Sequence, residues 1–141
     1  MAKIILIASS ETAYGVQRHL MEEYAVHLRD LGHEAIVLAF DTDSTLGPIA
    51  EELGAQDTDL VLSFNSILLD LCISGTTENI FSHLNIPYCS YLLDHPAYHL
   101  QRLNHVYDSL TVACVDASHI PFVEKVFSHK AFYLPHAACS V

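Results

Sequence analysis

The sequence predicts an α/β domain built on a parallel sheet, and three observations predict it. Short apolar runs rich in isoleucine, leucine and valine recur along the chain, each too brief for a typical helix. Between them lie stretches whose apolar residues return every three or four positions, the period of a helix with one buried face. The chain has 141 residues, of which 51% are hydrophobic, enough for one compact core.

The first run, "KIILIAS" at 3–9, is apolar without alternation, as a strand covered on both faces should be. After the polar "SSETAYG", Leu20, Met21, Tyr24, Leu28 and Leu31 fall along one stripe of a helix, and Gly32 supplies its C-terminal cap. "EAIVLAF" (34–40) is the second strand. "GPIAEEL" (47–53) is a helix with Pro48 in its first turn. "DLVLSF" (59–64) is the third strand. The next segment, "ILLDLCI", fits helix or strand, and a helix is expected to restart near Thr76, after Gly75. "IPYCSYLL" (86–93) is the fourth strand, followed by a helix over 96–107. "SLTVACV" (109–115) is the fifth strand, 118–127 a helix with Pro121 in its first turn, and "AFYLP" (131–135) a short sixth strand.

Alternation at this spacing implies a single doubly wound, Rossmann-like domain over 1–141: a parallel sheet of about six strands with helices on both faces. Ligands of such sheets sit beyond the C-terminal strand ends. Function should therefore be sought in the loops at 9–15, 40–46, 64–67, 93–96 and 115–118.

Composition narrows the classes. Seventeen acidic against six basic residues give a formal charge of −11, which repels nucleic acid and anionic lipid surfaces. A nucleotide sugar remains compatible, because a phosphate can be held locally by helix N-termini. No run reaches membrane-spanning length and no signal peptide is legible, so a cytoplasmic, soluble protein is expected. Cys72, Cys89, Cys114 and Cys139 show no C-x-x-C spacing, which argues for reduced, buried thiols.

The first loop lacks both G-x-G-x-x-G and G-x-x-x-x-G-K-[ST], so no cofactor is implied. It offers instead a hydroxyl-rich turn, Ser9, Ser10 and Thr12, able to cap a helix or bind a polyhydroxy ligand. A phospho-receiver would need an acidic pair after the first strand and an aspartate after the third. Ser9-Ser10-Glu11 and Phe64-Asn65-Ser66 stand there, which excludes it. In "DHPAYH", Pro96 turns the chain at once into a helix, aiming Asp94 and His95 at the ligand edge. An imidazole there can take a hydroxyl proton while the neighbouring carboxylate orients it. Equally, Asp94 or His95 could simply cap the helix. His95 and His99, four apart, could meet a metal on one face, but no third ligand stands nearby, and no metal site is expected. His136 follows the last strand and shares the ligand edge.

"YCSYLLDHP", followed after a further strand and helix by "FYLPHAA", resembles the N-terminal half of GT-B-type glycosyltransferases, in particular the spore-maturation-protein-like group. The resemblance rests on a strand ending in D-x-P, matched by Asp94 and Pro96, and on a later L-P-x-x, matched by Pro135 and His136. It spans "KIILIAS" to "LPHAA", although the first loop lacks the glycine pair of many relatives. It implies an acceptor-side domain facing a second, donor-binding domain that holds a nucleotide sugar and is absent from this chain. Ser9, Ser10, Thr12, Asn65 and His136 are then expected around a sugar, protein or small-molecule acceptor, with Asp94 and His95 catalytic, the base role of His95 being read from the chemistry of imidazole and not from the resemblance. Alone the domain should transfer sugar poorly, and its open cleft face could pair two copies. The competing expectation is a non-catalytic Rossmann-like module that binds a small ligand or a protein at the same edge.

Overall fold

Six strands form where the apolar runs stand. In the computed structural model, which describes residues 1–9, 15–40, 46–55, 57–105 and 107–136, these are β1 (Lys3–Ser9), β2 (Glu34–Phe40), β3 (Leu60–Phe64), β4 (Tyr88–Leu92), β5 (Leu110–Cys114) and β6 (Lys130–Tyr133). Every neighbouring pair is parallel, in the order β2-β1-β3-β4-β5-β6. The strand order therefore reverses between β1 and β3, the point where doubly wound sheets open a crevice.

The helix between β1 and β2, α1 (Val16–Asp30), buries Met21 and Ala25. It ends as its sequence predicts: Gly32 adopts φ +87°, its N–H donates to Arg29 O (2.9 Å), and the His33 N–H donates to Leu28 O (3.0 Å). The other helices are α2 (Leu46–Gly54), α3 (Ile80–His83), α4 (Leu100–Leu103) and α5 (Ile120–Phe127). Two expectations shift. The helix expected near Thr76 starts at Ile80, because the Asn79 side chain accepts the Phe81 and Ser82 N–H groups and so sets the first turn. The helix expected over 96–107 is a 3-10 turn at Pro96–His99 followed by the single turn of α4, since the His99 backbone (φ −120°, ψ 23°) breaks the helical path.

Alternation along each strand divides the core in two. Ile5, Ile7, Val61, Tyr88, Leu110 and Val112 point to one face, where they meet Ile49 and Leu53 of α2, Phe81 of α3, Leu103 of α4 and Val123 of α5. Ile4, Leu6, Ala8, Phe64, Tyr91 and Ala113 point to the other, where α1 packs. Right-handed crossovers cause this division: the chain steps one way from β1 to β2 and the opposite way in every later step, which sends α1 to one face and α2–α5 to the other. Because all strands run in parallel, Ser9 at the end of β1 and Asn65, Asp94, Asp116 and Leu134 just past the ends of β3, β4, β5 and β6 lie along one rim.

Candidate functional site at the strand-end rim

The rim site starts from an unusual turn after β3. Asn65, Ser66 and Leu68 all adopt left-handed conformations, at φ 52°, 58° and 62°, each costing about 1 kcal/mol or more for a residue other than glycine. Buried hydrogen bonds hold the turn in place. The Asn65 N–H donates to Tyr91 O (2.9 Å), and its Oδ1 accepts the Leu93 N–H (2.9 Å). Ser66 Oγ pairs with Ser90 Oγ at 2.7 Å. The Tyr88 hydroxyl lies 2.6 Å from Ser63 Oγ and donates to Ile67 O at 2.5 Å. Burial keeps that phenol protonated by raising its pKa. The turn thus grips both β4 and its own backbone, and it presents one free amide edge to the rim.

That edge meets Asp94. Asn65 Nδ2 donates to Asp94 Oδ2 at 3.0 Å, while the carboxylate stays open to solvent, its side chain 59% exposed. On its other side stands His99, whose Nε2 lies 3.9 Å from the same oxygen, too far for a hydrogen bond. The His99 side chain is only 12% exposed, and its buried Nε2 has no hydrogen-bond partner among the described residues. Burial lowers the His99 pKa; Asp94 opposes this and Arg102 adds to it. The imidazole is therefore neutral near pH 7, beside the Asp94 side chain. Arg102 Nη1 donates to Asn65 O (3.2 Å), and its Nε lies 3.7 Å from Asp70 Oδ1, which extends the line of polar groups.

His95, expected beside Asp94 as the base, is used differently. Its Nδ1 accepts the Ala97 N–H at 3.1 Å and caps the 3-10 turn. Its ring packs edge-on against His119 (4.7 Å) and Phe122 (5.2 Å). A neutral imidazole accepting at Nδ1 carries its proton on Nε2, so taking up another proton would mean giving up the cap. His95 and His99 also turn toward different neighbours. Among the described residues, no group of three or more His, Cys, Asp or Glu side chains could hold a metal ion.

The other expected residues are spread along the rim. Ser9 ends β1, paired in register with Phe40. Ser10 and Thr12 lie outside the described residues. His136 stands next to the Tyr91 ring, 6.3 Å between centroids, where the Tyr91 hydroxyl donates to Pro135 O at 3.1 Å. The last described residues thus fold over the α1 face, while Asn65, Asp94 and His99 form the compact group. Sequence reasoning missed Asp70, Tyr98 and Arg102. One signal was available: His99 and Arg102 are three apart, the spacing that sets two side chains on one side of a helical turn. Among the described residues, no helix is long and apolar enough to cross a membrane. Comparison with family models, curated proteins and solved structures found no match to this chain.

Proposed function

We propose that this chain is the acceptor-side domain of a GT-B-type sugar transferase, and that a nucleotide-sugar donor is held by a second domain supplied from outside residues 1–141. One arrangement supports the reading: a neutral, buried imidazole with an unpartnered Nε2, facing a carboxylate fixed by an amide, on the strand-end rim of a parallel sheet. An acceptor hydroxyl that donates to the exposed Asp94, or to His99 Nε2 once a small movement of the ring uncovers it, sits where its proton can leave. As its oxygen bonds to the anomeric carbon and the bond from that carbon to the donor phosphate breaks, the proton passes to His99 and the nucleoside diphosphate leaves with the electron pair. Asp94 steadies the imidazolium so formed, and Asn65 holds Asp94. The base role expected for His95 suits His99 better, because the His95 lone pair is engaged in the cap.

The test reads the natural gene around the codon for Val141 and assays its product against a panel of nucleotide sugars. Consumption of donor, lowered roughly a hundredfold by His99→Gln with folding unchanged, is the expected result. A natural product that consumes no nucleotide sugar would sink the transferase reading and leave the rim to a binding module.

A further inference from the structure

Beside the Asp94 and His99 pair lies a cavity of about 370 Å³, lined by Asp70, Tyr98, His99, Gln101 and Arg102. Its chemistry is mixed in a particular way. Asp70 offers acceptors only, Arg102 donors only and Gln101 both, while the His99 ring forms part of the wall with its Nε2 buried behind it. Tyr98 stands at its edge with 81% of its surface exposed, so a large aromatic ring is held out in water beside converging polar groups. Neither packing nor a described hydrogen bond of the phenol accounts for that placement. A ligand with one flat apolar face and a border of hydroxyls would use both features at once.

The charges at the site select further. Arg102 is one of six basic residues in the chain, but its guanidinium is already offset by Asp70 at 3.7 Å. Asp94 stands next to it, 59% exposed, and among the described residues no Lys or Arg lies within ion-pair distance of it. The local balance is two carboxylates against one guanidinium, within a chain of formal charge −11. An anionic ligand would have to displace Asp70 from Arg102 and approach Asp94 unshielded.

From this juxtaposition we infer that the cavity is the acceptor subsite and that it takes an uncharged pyranose ring, stacked on Tyr98 with its hydroxyls shared among Asp70, Gln101 and Arg102. The inference deepens the transferase reading and rests on it for the word acceptor. The binding itself stands independently.

The experiment uses the 141-residue chain and its Tyr98→Ala and Tyr98→Phe variants. Methyl glycosides of glucose, galactose, mannose and N-acetylglucosamine, with glucuronate and galacturonate as anionic counterparts, are titrated while backbone amide chemical shifts are followed. At least one neutral glycoside should move the amides of residues 98–102. Binding should weaken roughly tenfold in Tyr98→Ala and survive in Tyr98→Phe, while the uronates bind more weakly than their neutral partners. Because Tyr98 is exposed, both variants should keep the fold, and the amide spectrum reports it directly. Uronate preference, Tyr98→Ala binding equal to the parent, or no glycoside bound at all would each overturn the proposal. None of these decides the transferase reading, which stands or falls on nucleotide-sugar consumption by the natural gene product. Conversely, glycoside binding without donor consumption would keep the subsite and remove the transferase.

Discussion

The two faces of the sheet are covered very differently. On one, α2–α5 close a continuous core in which the Phe81 and Tyr88 rings pack tilted at 60°, 4.8 Å between centroids, and the Tyr107 hydroxyl, its pKa raised by burial to about 12, reaches Phe81 O. On the other, among the described residues, α1 is the helix that packs, and it stands over β1 and β2. Past it, Tyr24, Leu28, Leu31, Leu62, Tyr91, Leu134 and Pro135 line an apolar hollow of about 250 Å³. The rim site is braced by the closed face. Tyr88 and Ser90 of that face hold the left-handed turn, and Arg102 reaches the rim from the end of α4. Polar groups can be held at fixed distances only where the apolar layer beneath them cannot give, and the closed face is that layer.

Substitutions can break this comparison, and the largest effect belongs to the closed face. Phe81→Ala removes a fully buried ring from the layer beneath the site and should cost about 3–5 kcal/mol in urea unfolding. A cost near that of an exposed position would show that the face is not rigid. Asn65→Ala comes next. It leaves the Leu93 N–H without its acceptor, frees Asp94, and puts alanine at φ 52°, for a loss of about 2–3 kcal/mol. If calorimetry instead gives a change within about 0.5 kcal/mol, the turn does not depend on this amide.

A smaller effect should appear as a dependence on pH. Burial lowers the folded-state pKa of His99 below its ordinary 6.5, so the unfolded chain binds this proton more readily than the folded one. The His99 contribution to stability is therefore intact above pH 6.5 and is lost as the pH falls below it. His99→Gln should flatten that part of the stability curve measured by unfolding at pH values on either side of 6.5, and an unchanged slope would refute the assignment. The smallest effect is expected on the open face. Leu31 is 74% exposed, and Leu31→Ser should change stability by no more than about 0.5 kcal/mol. A larger loss would mean that the hollow is packed more tightly than its exposure indicates.

Much of this was legible from local pattern. The apolar runs at 3–9, 34–40 and 109–115 became strands because burial on both faces removes the alternation that a half-exposed strand would show. Gly32 was recognisable as a cap because a left-handed residue is needed there and glycine adopts that conformation without a Cβ penalty. The edge position of Asp94 followed from Pro96, which forces a turn at the end of β4. The segment at 65–72 was illegible for a physical reason. Its leucines fit either regular structure, whereas its actual path is set by Asn79, Tyr88 and Ser90, which stand 10, 21 and 24 residues from the groups they hold: Asn79 Nδ2, for example, donates to Leu69 O.

The chain by itself determined which stretches are strands, that they run in parallel, and which loops crowd one rim, because period and apolar content act over a few residues and need no partner. Tertiary structure alone decided that His99 rather than His95 faces Asp94, and that Asn65 and Arg102 join them. It also decided that, among the described residues, α2–α5 cover one face and α1 the other. Those outcomes depend on strand order and crossover handedness, which bring together groups 29 and 37 residues apart.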